Sequence, residues 1–220
     1  MTIRRAQWKT LDAAARRSFL RRPAVEDDAA IRAAVLEIVG DVKNGGDDAL
    51  HALTARLDGV ELADLRVSPE EMDAASAAMP PQAIEAIDLA ISNVRRFHEA
   101  QMPPDIEVET MPGVRCERVS RAIDAVGLYV PAGTAPLPSA AVMLAVPAVI
   151  AGCGTRIVCT PPRPDGRVDP AVVVASVRAG VTDIFKIGGA QAVAALSLIH
   201  ISEPTRQESR SRMPSSACKR

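Results

Sequence analysis

DAVGLYVPAGTAPLPSAAVMLAVPAVIAGC, running from Asp124 to Cys153, passes from a strand-like segment through a Gly/Pro turn into a long apolar run. Residues 125–130 (AVGLYV) are apolar and rich in strand formers, and the run breaks at Pro131-Ala132-Gly133. A loop with prolines at Pro136 and Pro138 follows, and Ser139 is expected to cap a helix that continues through a long apolar run, because a serine hydroxyl can accept from the unpaired amides of a first turn. A strand, a Gly/Pro turn and a helix N-terminus together make an anion-binding corner. At the carboxyl end of a parallel strand, such a corner is where α/β sheets hold nucleotides. The stretch contains no G-x-G-x-x-G, and structural βα turns share its shape, so on its own it points to a nucleotide without deciding the matter.

Toward the C-terminus the pattern alternates: strand at 126–130, helix at 140–151, strand at 156–160, helix at 171–179, strand at 183–187. Alternation of that kind predicts a parallel sheet with helical crossovers, with Val126, Ile157 and Ile184 in adjacent strands. The last strand runs into Gly188-Gly189-Ala190-Gln191, a second glycine turn that opens a helix. Two corners of the nucleotide type are therefore expected at one edge of one sheet.

Toward the N-terminus the first hundred residues read as helices. Ile31, Val35, Ile38 and Val42 recur at helical spacing up to Asn44-Gly45-Gly46, where Asp47 can start a second helix with Leu50, Leu53 and Leu57 on its apolar stripe. Ser68-Pro69-Glu70-Glu71 is a capping box with proline in the first turn. Ile84, Ile87, Ile91 and Val94 mark the buried face of a longer helix that ends near His98. Residues 106–110 and 114–119 then alternate around Pro112-Gly113, which reads as a hairpin with one wet face.

The character of the chain changes at Leu196. LSLIHISEPTR, residues 196–206, resembles the translation of a transposon-end adapter used in preparing sequencing libraries, and the serines and arginines beyond it show no periodicity. Residues 196–220 therefore read as a non-native, disordered tail, to be left out of fold reasoning, with no function expected of His200 or Cys218.

Composition narrows the function classes. A formal net charge of -1 over 220 residues argues against nucleic acid and membrane surfaces as partners, and 2% aromatic content argues against base-stacking platforms. The start, MTIRRAQWKTLD, lacks the apolar segment of a signal peptide, and the longest apolar run is too short to span a bilayer. Four cysteines without C-x-x-C spacing suggest a reducing compartment, so a cytoplasmic location is expected.

His51, on what reads as an exposed helix face, and His98 lack ligand-spaced partners and are taken as ordinary histidines. Cys116, Cys153 and Cys159 have no adjacent base and are expected to pack as small core residues; a nucleophilic role for Cys116 or Cys153 is the weaker alternative. Tyr129 ends a strand just before a glycine-containing turn, where its ring could edge a nucleotide base, although a half-buried strand tyrosine fits equally well. Gln191 offers a donor and an acceptor at a helix start, and is also simply a helical glutamine.

The motifs Pro112-Gly113-Val114-Arg115-Cys116, VGLYVPAGTAPLPSAAVMLAVPAVIAGC (126–153) and IGGAQAVAAL (187–196) resemble the amino-terminal half of the histidinol dehydrogenase family. The resemblance implies an NAD-dependent, two-step oxidation of L-histidinol through the aldehyde to L-histidine. It implies that Tyr129 and Gln191 are cofactor-binding residues, and that the catalytic Glu-His pair, the substrate serine and the zinc ligands lie outside this chain. It further implies a homodimer at full length. The expected architecture is α/β: a helical lead-in over residues 1–111, then a doubly wound, Rossmann-like NAD-binding half-domain over 112–195 whose sheet is incomplete at the C-terminus. Two readings follow: a dehydrogenase gene product cut short, inactive in itself, or a non-catalytic nucleotide-binding or assembly module.

Overall fold

The computed structural model describes residues 5–20, 29–132 and 135–199. The chain divides into two compact units, Met1–Glu37 and Ile38–Arg220. In the first, a 3-10 turn at Trp8–Thr10 precedes α1 (Ala13–Leu20). The Asp12 carboxylate accepts from the Ala15 amide at 2.7 Å, and the Arg16 guanidinium lies 5.2 Å from the centre of the Trp8 ring.

Helix α2 (Ala29–Leu57) is broken at Gly46, whose φ of 55° and ψ of −133° are open to glycine and strained for other residues. The break falls where Asn44-Gly45-Gly46 predicts it. Helix α3 (Pro69–Ala77) opens on the expected capping box: Ser68 Oγ accepts from the Glu71 amide at 3.2 Å, and the Glu71 carboxylate accepts from the Ser68 amide at 2.9 Å. On α4 (Pro81–Glu99), Ile91 is buried, with Ile87 and Val94 half-buried beside it, as the helical spacing requires.

The hairpin β1 (Ile106–Met111) and β2 (Val114–Arg118) is antiparallel around Gly113. Every residue on both strands is exposed, so the expectation of one wet face and one buried face is corrected: both are wet. Alternation selects a face for burial, but burial also needs a partner layer, and none covers Ile106, Val108 or Val114 among the described residues. Cys116 goes with the strand: it is exposed, not a core residue.

Three strands, β3 (Ala125–Tyr129), β4 (Thr155–Thr160) and β5 (Asp183–Lys186), lie parallel in that order, with Val126 beside Arg156 and Val158 beside Ile184. Val126, Ile157 and Ile184 thus sit in adjacent parallel strands, as the alternation predicts. Helices α5 (Pro138–Ile150) and α6 (Pro170–Arg178) make the crossovers. Ser139 does not cap α5; Leu137 holds the cap position without a side-chain bond, and Pro138 takes the first helical position, where its fixed φ and missing N–H cost nothing. Helix α7 (Gly189–Ile199) continues four residues past Ala195, and residues 200–220 lie outside the described residues.

Successive strand residues point to opposite faces, so each face acquires its own core. Leu128, Val158 and Ile184 pack with Ala141, Val142, Ala145 and Val146 of α5 and Val172 and Val173 of α6, with α3 and α4 outside them. Alanines along α5 let the helix approach the sheet closely. On the other face, Cys159 and Ile187 pack with Leu50 and Leu53 of α2 and with Ala192, Ala194 and Ala195 of α7, and Leu196 closes over Gly127, where a Cβ would lie 2.7 Å from its Cδ2. Helices on both faces of a parallel sheet are the doubly wound arrangement. Leu65 and Val67 pair with β5 through two backbone bonds (Lys186 N–H to Leu65 O at 2.7 Å, Val67 N–H to Ile184 O at 2.8 Å) and cover its edge.

Arg178 of α6 grips both oxygens of Asp88 on α4, and the guanidinium holds the Asp88 carboxyl below its ordinary range. The folded state therefore binds the proton more weakly than the unfolded chain, so the pair stabilises above about pH 4 and its contribution is lost as pH falls through the carboxyl's lowered range. Asp88→Asn is expected to lower the thermal midpoint slightly at neutral pH in low salt. The difference should fade in acid and at high salt, because the pair is solvent-exposed.

Candidate functional site

Where β3 and β5 end, the chain turns sharply, and side chains from three segments meet. Tyr129 closes β3, and its hydroxyl accepts from the Gly189 amide at 3.0 Å. Gly189 opens α7, so that amide is one of the helix's unpaired first donors. The tyrosine thereby ties the end of one outer strand to the turn after the other. Gly189 has φ of 57°, and a Cβ there would lie 2.7 Å from Gln191 Oε1. A Cβ on Gly188 would lie 2.9 Å from the Pro161 ring and 3.0 Å from Asp58 Oδ1. Close approach to the proline ring requires glycine at position 188, and the left-handed backbone requires it at position 189.

Gln191, in the first turn of α7, is only 1% exposed. Its Nε2 donates to Asp58 Oδ2 at 3.2 Å, while its Oε1 has no partner. Asp58 stands just beyond the end of α2, where its amide donates to Thr54 O at 2.9 Å. Burial pushes the Asp58 carboxyl up, and the Gln191 amide partly offsets this by donating to the charged form. Thr54 Oγ1 and Thr160 Oγ1 are likewise buried without partners. Buried acceptors and hydroxyls left unpaired carry a free-energy cost, and their presence at a carboxyl edge fits a place where a polar ligand or water completes the bonding.

The two residues singled out from sequence therefore belong to one turn, Tyr129 through its bond to Gly189 and Gln191 through the helix that Gly189 opens. Gln191 is buried there, rather than facing an open crevice. Asp58 escaped sequence reasoning. The signal was present in Leu57-Asp58-Gly59: a carboxylate at a helix C-terminus opposes the helix dipole, and such a local conflict marks a residue placed for another reason.

The other candidates are dispersed. His51 is half-buried, not on an exposed face, and lines a cavity of about 200 Å³ with Asp64, Arg66 and Cys159. His98 meets the Phe97 ring edge-on at 5.5 Å. Cys153 and Cys159 are buried, and burial pushes the Cys159 thiol up to about 12, which keeps it protonated and unreactive near neutral pH. Among the described residues no three His, Cys, Asp or Glu side chains converge as a metal site would require, so these residues do not fit a zinc ion and no step is derived through one. Among the same residues no helix is long and apolar enough to cross a membrane.

A doubly wound α/β sheet with a glycine turn and buried polar groups at its carboxyl edge places the protein in the Rossmann-like class. The chain belongs to the histidinol dehydrogenase family, whose model matches residues 20–202. The histidinol dehydrogenase of Xanthomonas oryzae pv. oryzae (strain KACC10331 / KXO85) is 51% identical over 190 residues, covering 86% of this chain and 44% of that protein. That of Xylella fastidiosa (strain Temecula1 / ATCC 700964) is 48% identical over 198 residues, covering 90% of this chain and 46% of that protein. The crystal structure of histidinol dehydrogenase from Elizabethkingia anophelis superposes with a TM-score of 0.74 at 40% identity, over 76% of this chain and 39% of that one. The chain thus spans less than half the length of the relatives it matches.

Proposed function

We propose that this chain is the cofactor-side portion of an NAD-dependent oxidoreductase that converts L-histidinol, through the aldehyde, to L-histidine. The observation that carries the reading is the bond from the Gly189 amide to the Tyr129 hydroxyl beside the buried, unpartnered Oε1 of Gln191. When bound, NAD supplies the acceptor for the hydride lost at each oxidation. The protein's part, on this side, is to hold the dinucleotide. Tyr129 offers a ring against which a nucleotide can lie, the helix start at Gly189 favours negative charge, and Gln191 supplies an acceptor. In this reading residues 112–195 form the NAD-binding half-domain and residues 1–111 the lead-in. Proton transfer and zinc belong to residues outside this chain, and the complete protein is a cytoplasmic homodimer.

In a chain completed to the length of its relatives, Tyr129→Ala is expected to weaken NAD binding by about 1–2 kcal/mol through lost aromatic contact. Zinc content should not change. Calorimetric titration with NAD checks this, and an unchanged affinity would remove Tyr129 from the site.

A further inference from the structure

A carboxylate can only accept hydrogen bonds, whereas a glutamine amide can present either of its ends. Asp58 Oδ2 lies 3.2 Å from Nε2 of Gln191, so the NH2 end of that amide is committed to Asp58. The carbonyl end is left over: Oε1 is buried, has no partner, and lies 2.7 Å from where a Gly189 Cβ would stand. Placing Asp58 there has two unfavourable features, since its carboxyl is raised by burial and follows a helix C-terminus, where the dipole disfavours negative charge. A core chosen for stability alone would not leave Gln191, 1% exposed, with one end bonded to a desolvated carboxylate and the other end empty.

We propose that Asp58 is a positioning residue: it accepts from the Gln191 amide and so fixes Oε1 at the Gly188-Gly189 turn as the acceptor for a hydrogen-bond donor of the bound nucleotide. This rests on the nucleotide reading given above and deepens it. Asp58 does not touch the ligand; it acts through Gln191. The donor is a ribose hydroxyl or the amide N–H of the nicotinamide, which share the chemistry that Oε1 requires. The close glycines belong to the same device, because a side chain at Gly189 would occupy the space beside Oε1 and one at Gly188 would press on Asp58.

The test uses residues 1–220 with Asp58→Ala, Gln191→Ala and the double substitution, and two readouts; alanine is chosen at position 58 because asparagine would keep a carbonyl oxygen able to accept from Gln191. The first needs no ligand: in nitrogen-15 spectra, the Gln191 side-chain amide should be shifted and protected from solvent exchange, and Asp58→Ala should remove both features while the backbone spectrum of the parallel sheet is retained. An unchanged Gln191 amide in Asp58→Ala overturns the proposal. The second is affinity for NAD and for ADP-ribose. Gln191→Ala should weaken NAD binding about tenfold, Asp58→Ala several-fold, and the double variant no more than Gln191→Ala alone, because residues acting as a unit are not additive. Equal losses for both ligands assign the donor to the ribose; a loss confined to NAD assigns it to the nicotinamide amide. If Gln191→Ala weakens binding and Asp58→Ala does not, the positioning role is wrong. If neither affects an NAD affinity that is otherwise measurable, the nucleotide reading at Gln191 is what fails, and the ligand-free spectrum still decides the orientation of the amide.

Discussion

Purified residues 1–220, given histidinol, NAD and zinc, are expected to produce no reduced NAD above a no-enzyme control. Oxidising an alcohol needs a proton acceptor within hydrogen-bond reach of the hydroxyl, and loss of general acid-base help alone costs about two to four orders of magnitude in rate. The described titratable groups do not supply one at the carboxyl edge. His98 sits at the end of α4 against Phe97, His51 is set into the cavity beside α2, and the Cys159 thiol is held protonated. Asp58 is engaged with Gln191. With no described cluster able to hold the metal, turnover should fall below detection when reduced NAD is followed by absorbance. Clear turnover would mean that catalytic groups have been overlooked in this chain.

Gly189→Val is expected to be the most damaging single substitution at the site. It places a β-branched residue at φ of 57° and a Cβ within 2.7 Å of Gln191 Oε1. Left-handed backbone costs a residue with a Cβ about 1–2 kcal/mol, and forcing atoms into a packed site costs about 1–3 kcal/mol more. In a chain of this size a loss of about 3 kcal/mol lowers the thermal midpoint by roughly 6–12 °C. Displacing Gly189 also breaks the bond to the Tyr129 hydroxyl, so nucleotide binding should disappear with it. Gly40→Ala is the control. That glycine has helical backbone and nothing within 4 Å of an added Cβ, so the substitution should raise stability by about 0.5–1 kcal/mol. Thermal unfolding of both variants checks the pair; a Gly189→Val chain as stable as the parent would contradict the packing described for the turn.

Elements fixed by local chemistry were legible in the sequence. The Ser68–Glu71 capping box and the break at Gly46 follow from residues within one turn of each other, and the parallel order of β3, β4 and β5 follows from alternating periodicity. What depended on distant partners was less so. Ser139 was a chemically sound cap, but Pro138 already suited the first helical position. The alternation of β1 and β2 cannot reveal that no described layer covers them, and the exposure of Cys116 has the same cause. Strand pairing by Leu65 and Val67 involves only a few residues, too short a stretch to show a period. Tyr129 and Gln191 stand out in the sequence because each adjoins a glycine turn. Asp58 does not, because its partner lies 133 positions away in sequence and only the fold brings them together.

In the proposed function NAD is held at the carboxyl edge of the parallel sheet, between the end of β3 and the start of α7. Titrating nitrogen-15-labelled residues 1–220 with NAD and following the backbone amides tests it most directly, since weak binding still moves resonances. Graded shifts are expected, concentrated at Leu128, Tyr129 and Val130 and at Gly188, Gly189 and Gln191. Shifts that bypass these residues and gather instead in the cleft between α3 and α6, around Glu71, Arg163 and Val173, would contradict it.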